Sequence, residues 1–305
     1  MMKRIRNYLI SPDDQTPLIE KDGCWFDKSG NKYFTRNGKP DFHPRNPIEG
    51  HLKYRLVNHA KFRSFQYARF LRPLFPIKEM RTKGIKKNNL NGFIPPAGKD
   101  SICLDHGCGG GEMRSYIESF DYEYVGVDDE SGVTTKQGGG NKFSGGADYL
   151  CDLHRLPFAE NTFKFGVSYS VFEHLQNPFV AAEELYRVMQ PGGVCFVAVG
   201  SILPFHMDSF YHHTHFGVLN TFQHAGFTVD QIAPADWNSY LALSDMDGLP
   251  GPKWVRHLFS YFIYNIHRLL WLIRTKIKKR SPADEELRRL LLMPGIVKAI
   301  LIKPE

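Results

Sequence analysis

The stretch Leu104–Glu112 reads LDHGCGGGE, and what this loop holds decides how the rest of the chain is read. A strand-like run (SIC) precedes it and a helical run (MRSYIESF) follows. Strand, glycine turn and helix together are the setting of a nucleotide site in a doubly wound α/β sheet. The spacing discriminates among such sites. A dinucleotide fingerprint needs a third glycine where Glu112 stands, and a P-loop needs a Gly-Lys-Ser/Thr that is missing. What remains is Gly107, Gly109 and Gly111, with Asp105 upstream and Glu112 downstream.

Two acids beside the loop oppose a pyrophosphate resting on backbone N–H groups. They suit a ligand that carries an ammonium and a sulfonium, as S-adenosylmethionine (SAM) does. Glycines let the backbone approach its methionine end, and a carboxylate or carbonyl accepts from its ammonium. Further out, YEYVGVD ends a second strand at Asp128, placed to accept from both ribose hydroxyls. ADYLCDL ends a third at Asp152 and Leu153, one for the adenine amino group and one to pack on the ring. FKFGVSYSVFEHL ends a fourth at the pocket, and Pro191-Gly192-Gly193 stops the helix FVAAEELYRVMQ before a fifth, VCFVAVG. IVKAILIKP reads as a closing strand, the stretch at 138–146 as a Gly-rich connection, and there is no internal repeat. The alternation predicts an α/β fold, a parallel sheet covered by helices on both faces.

Five blocks occur in order: Asp105–Gly111 (DHGCGGG), Val125–Asp128 (VGVD), Asp152–Phe158 (DLHRLPF), Ser170–His174 (SVFEH) and Arg187–Gly193 (RVMQPGG). On these, residues 100–200 resemble the class I SAM-dependent methyltransferases of the ubiquinone and menaquinone methyltransferase type. The resemblance implies a Rossmann-like, seven-stranded, mostly parallel sheet with an antiparallel last strand. It implies SAM as cofactor, held by Asp105, Gly107, Gly109, Gly111, Asp128, Asp152, Leu153 and Ser170. It puts His174 close to cofactor and acceptor, as a base or orienting group or as a helix-start histidine holding local structure. The stretch FHMDSFYHHTHF (His206, His212, His213, His215) resembles the family's loop over the pocket mouth, where acceptor contact and plain loop packing stand level and both are favoured over metal. His174 and His215 are the candidate catalytic residues, and no metal is expected.

Residues 1–48 read as a separate unit of short apolar pieces and turn signals, a small β module. Its close, Gly38-Lys39-Pro40-Asp41-Phe42, resembles that of the zinc-ribbon-like tRNA methyltransferase activator family. The knuckle cysteines are replaced by SPDD (Ser11–Asp14) and DKSG (Asp27–Gly30), so a module that keeps its shape without metal is expected. Residues 49–97 are expected to form a basic helical linker, and 98–305 the methyltransferase domain that the resemblance implies, with a helical insertion at about 234–293 before the last strand.

The five cysteines form no CxxC pair and the N-terminus has no long apolar run, which points to a reducing, cytoplasmic location. The net charge of +7 is uneven: residues 51–89 carry +10 and residues 253–280 carry +8, leaving −11 elsewhere. Six polar residues within 254–273 argue against a membrane span, and two readings stand level: a basic interfacial helix at 254–280 on the inner membrane face, or a substrate lid. SYSVFEH replaces the N/D-P-P-Y/F turn of exocyclic amino methylation, and no cysteine follows a proline as cytosine-C5 methylation needs. Both points disfavour a nucleic-acid base. The expected acceptor is a small molecule, glycan or lipid-linked group, methylated at oxygen or carbon. The alternatives are an RNA methyltransferase, favoured by the basic segments, and a non-catalytic module that has kept the fold.

Overall fold

The computed structural model describes residues 5–44, 90, 92–129, 146–202, 209–234, 251–281 and 294–305. The basic segment at 51–89, most of the Gly-rich connection and His206 lie outside them.

A seven-stranded sheet organises the chain. Its strands are β6 (Ile102–His106), β7 (Glu123–Asp128), β8 (Tyr149–Leu150), β9 (Phe163–Tyr169), β10 (Met189–Gly200), β11 (Thr228–Pro234) and β12 (Ile296–Ile302). Their order is β11-β12-β10-β9-β6-β7-β8. The strands from β10 to β8 run parallel, while β12 is antiparallel to both β10 and β11. This is the mostly parallel α/β sheet expected from the sequence, with IVKAILIKP as the antiparallel strand. Every residue of β6 is buried, as a strand covered on both faces requires. Helices α1 (Arg114–Glu118), α2 (Pro178–Val188) and α3 (His215–His224) follow β6, β9 and β10. A fourth helix, α4 (Lys253–Ile277), precedes β12.

Local chemistry explains several joints. Asn177 caps α2 by accepting from Val180 N–H, with Pro178 in the first turn. Glu184 and Arg187 on α2 pair with each other and clamp the Leu156–Phe158 stretch: Glu184 accepts from Leu156 N–H (2.9 Å) while Arg187 donates to the carbonyls of Phe158 (2.8 Å) and Leu156 (3.1 Å). The LPF and RV blocks of the sequence therefore hold one another. Pro191-Gly192-Gly193 does not separate helix from strand. β10 already begins at Met189 and passes through the turn with a register shift before Val194.

The N-terminal residues form a three-stranded antiparallel sheet, β1 (Ile19–Lys21), β2 (Cys24–Phe26) and β3 (Lys32–Tyr33), and a hairpin of β4 (Thr35–Arg36) and β5 (Lys39–Pro40). Asp22-Gly23 and Asn37-Gly38 turn two of these hairpins with both residues at positive φ, the two-residue turn that suits strand twist. SPDD and DKSG are hydrogen-bonded turns. Ser11 Oγ accepts from the N–H groups of Asp13 and Asp14 (3.2 Å each) and bonds Tyr33 Oη (2.9 Å), which donates to Asp13 (2.6 Å). Asp27 accepts from both the backbone and side-chain amides of Asn31 (2.8 Å each).

This unit shares a core with the large sheet. Phe42, fully buried, stacks on Tyr149 of β8 (5.8 Å between centroids) and meets Trp25 and Tyr33 edge-on. Its N–H donates to Leu150 O (2.8 Å), and Asp41 bridges Leu150 in parallel, so the module docks along the free edge of β8. Leu9 makes a second, antiparallel bridge to Phe158.

Candidate active site

The loop after β6 emerges at the carboxyl edge of the sheet, where open α/β folds bind ligands. Gly107, Gly109 and Gly111 all have positive φ (76°, 55° and 72°). At Gly107 a Cβ would sit 2.4 Å from Val171 Cγ2, so only glycine lets the loop press against the turn that follows β9. On that turn Ser170 holds a positive φ of 57°, pinned by its N–H donating to Ala198 O of β10 (2.8 Å). Left-handed backbone at a non-glycine residue is a strain that clusters at functional sites. β6, β9 and β10 thus converge on one point.

Three acids line this edge. Asp105 is buried and accepts from the Tyr124 hydroxyl (2.5 Å), whose pKa burial and that carboxylate push well up. Asp128 ends β7; its two oxygens accept from Gly109 N–H (2.6 Å) and Asp129 N–H (2.7 Å). Burial raises its pKa to about 6, and the backbone donors offset part of that rise. A carboxylate has about four lone-pair sites, so two donors leave room for ribose hydroxyls. Asp152, after β8, accepts from His154 N–H (2.9 Å) and meets His154 Nδ1 (2.7 Å). His154 Nε2 accepts from Asn177 N–H (3.2 Å), which assigns the ring proton to Nδ1 and fixes the carboxylate's orientation. Leu153 beside it is buried.

The strand and turn histidines differ sharply. His106 is fully buried, stacks on Phe172 (5.5 Å) and approaches Ser168 Oγ (3.3 Å) and Leu153 O (3.4 Å). Burial lowers its pKa to about 4, so it is a neutral packing group. His174 is half-buried on the 3-10 turn Phe172–His174, with its N–H donating to Val171 O (2.8 Å). His215 opens α3, behind the Thr214 cap, and its ring lies against Phe216 (4.3 Å).

Glu173, the partner of His174 in the sequence pair, carries the stronger signal. It is 1% exposed, and neither carboxylate oxygen has a hydrogen-bond partner among the described residues. Burial raises its pKa to about 7, and the nearby backbone N–H groups of Glu173 itself and Gly200 offset only part of the desolvation. The histidine-rich loop is strapped across this turn. Phe210 and Tyr211 N–H donate to Glu173 O (2.7 and 3.2 Å), Tyr211 Oη to Gln176 O (2.9 Å) and His213 N–H to Gly200 O (3.0 Å). His213 is buried, and burial lowers its pKa. Among the described residues no group of three or more His, Cys, Asp or Glu could hold a metal ion.

The N-terminal unit also reaches this edge. His43 joins Asp41 (Nδ1, 2.6 Å) to Asp129 (Nε2, 2.9 Å), the neighbour of Asp128. Burial alone would lower the imidazole's pKa, but the Asp129 and Asp41 carboxylates outweigh it and raise it to about 9. The Lys39 charge lies close enough to favour the Asp128 carboxylate.

Residues 104–197, which span the glycine loop through β10, match the methyltransferase domain family. That stretch, about a third of the chain, is similar to a methyltransferase domain. The residues at its carboxyl edge fit the cofactor of such domains, SAM: a cradle at Gly107 that a Cβ would fill, flanking acids for a cationic ligand, and a strand-end carboxylate with spare acceptor sites. An uncharacterized methyltransferase of Mycobacterium leprae (strain Br4923) is 30% identical over 100 residues, 33% of this chain and 36% of its own length. One from Schizosaccharomyces pombe is 32% identical over 109 residues, 32% of this chain and 39% of its own. The chain spans little more than a third of the length of these curated relatives. A solved geranyl diphosphate C-methyltransferase of Streptomyces coelicolor A3(2) is 14% identical, covering 70% of this chain and 75% of that one at a TM-score of 0.44. The strand order, not that likeness, carries the fold.

Proposed function

We propose that this protein is a SAM-dependent methyltransferase acting on oxygen or carbon of a small-molecule, glycan or lipid-linked acceptor. The observation that carries the reading is the methyltransferase-domain match laid over the site: glycine loop, Asp128 and the strained Ser170 turn stand at one sheet edge, within the matched residues. The cofactor supplies a methyl group on a sulfonium. Asp128 would accept from the ribose hydroxyls, and Asp152, held by His154, would accept from the adenine amino group, with Leu153 placed to pack on the ring. The glycine backbone and Asp105 would frame the methionine end. Positioning in a water-poor pocket carries much of such a displacement. An acceptor that keeps its proton also needs a base. Glu173, whose buried carboxylate has no partner among the described residues under the 209–215 loop, is the group assigned to that task in this reading; its pKa of about 7 would suit it near neutral pH, and His174 and the loop beside it would orient the acceptor.

In this reading the N-terminal unit is a metal-free relative of the zinc-ribbon-like activator modules, with the Ser11 and Asp27 turns in place of zinc knuckles. Five free cysteines suit a cytoplasmic site of action. The test is incubation of the protein with methyl-tritiated SAM and fractionated cell extract. Label in the lipid, glycan or small-molecule fraction is expected. Label confined to RNA would overturn the acceptor class.

A further inference from the structure

Helix α4 is built inside out. It runs 25 residues from Lys253 to Ile277, and its buried side chains are His257, Ser260, Tyr264 and Thr275. Its large apolar side chains face solvent instead, among them Phe259, Phe262 (56% exposed), Ile266, Leu269, Ile273 and Ile277 (76% exposed). At about 100° per residue the exposed apolar positions fall within roughly 160° of the circumference, opposite the buried polar face. A helix of a soluble domain turns the other way, apolar face inward. The stripe is far from the scattered single hydrophobics that need no explanation.

Charge selects the occupant. From Lys253 to Arg280 there are eight Lys or Arg residues and no Asp or Glu. Placed on the same wheel, Arg256 and Arg274 border one side of the stripe and Arg268 the other, Lys276 falls within it near the helix end, and Lys278, Lys279 and Arg280 follow. Apolar side chains flanked on both sides by long cationic ones are the pattern of a helix lying in the headgroup plane, its stems among acyl chains and its charges at lipid phosphates. No helix among the described residues is long and apolar enough to cross a membrane, which leaves the headgroup plane as the place where this pattern would meet lipid. A second copy of the same face would set like charge against like charge along both borders.

We propose that α4 docks this protein, apolar face down, on an anionic phospholipid bilayer. This stands apart from the methyltransferase reading, since it rests on the helix alone.

The experiment is flotation of the full chain with vesicles of phosphatidylcholine alone or with phosphatidylglycerol added. Recovery with the anionic vesicles is expected to exceed that with neutral ones at least tenfold and to fall as salt is raised. The variant Phe262→Ser/Leu269→Ser/Ile273→Ser changes exposed positions only and should lose at least tenfold in vesicle affinity with unchanged helical circular dichroism. Quenching of fluorescence by bromine-labelled lipid, removed by the conservative Trp254→Phe at the edge of the stripe, locates the helix in the bilayer. Equal recovery with both vesicle types, full binding by the triple variant, or no quenching attributable to Trp254 would each overturn the proposal. So would concentration-dependent dimerisation that the triple variant abolishes while vesicle binding persists, which would assign the stripe to a second copy.

Discussion

Replacing Glu173 by Gln should make the protein more stable and less active at once, and the size of the gain follows from the site. The carboxyl is raised from an ordinary 4.5 to about 7 by burial. A folded-state pKa above the unfolded one means that the protonated form favours folding. That contribution is whole below about pH 4.5 and is lost as pH rises through about 7. Above pH 7 the folded chain holds a buried charge that the unfolded chain would solvate. At 1.36 kcal/mol per unit, the shift corresponds to about 3 kcal/mol. Gln keeps the shape and never ionises. Urea denaturation should therefore show Glu173→Gln more stable than the parent by about 3 kcal/mol at pH 8.5, shrinking towards zero near pH 5. Methyl transfer to the acceptor found by tritium labelling should fall about 10²–10⁴-fold, the usual contribution of a positioned base. A stability difference that does not change between the two pH values would refute the burial argument. Full activity in the variant would refute the role as base.

Three further outcomes are expected. Phe42→Ala empties the joint between the N-terminal unit and β8; it should cost about 3–5 kcal/mol by denaturation. His43→Gln removes the clamp between Asp41 and Asp129. Since the folded imidazole is raised to about 9, its contribution is whole below about pH 6.5 and lost as pH rises through about 9, so parent and variant should converge in stability above pH 9. Gly107→Ala forces a side chain into left-handed backbone against Val171; SAM affinity by calorimetry should fall at least tenfold, and adding Val171→Ala should recover only part, because the backbone strain stays.

The central strands were legible because burial on both faces writes itself as continuous apolar runs, as in ICLDH and EYVGVD. β11 (TVDQIAP) offers no such run. It is an edge strand with several exposed residues, and pairing with β12, far along the chain, holds it in place. β8 is only two residues long, so Asp152 stands in the loop beyond it. Asp128 and the glycine loop stood at readable spacing, but the bond from Gly109 N–H to Asp128 is a tertiary fact. The Glu-His pair is equally visible in sequence. Which member is buried depends on the 209–214 loop strapped over the turn, and no local pattern encodes that. Phe42 belongs to a recognisable close, yet its partner Tyr149 is over a hundred residues away. The apolar and basic composition of α4 was plain, whereas the direction of its apolar face required the fold.

The most direct test of the account is a calorimetric titration of the full chain with SAM and with its demethylated product, beside the Asp128→Ala variant. Binding of both ligands at micromolar concentration is expected, with a loss on the order of a hundredfold in the variant, as two charge-assisted hydrogen bonds to the ribose disappear. Absence of binding by either ligand, or undiminished affinity in Asp128→Ala, would contradict the assignment of the LDHGCGGGE loop and the β7 carboxylate to this cofactor.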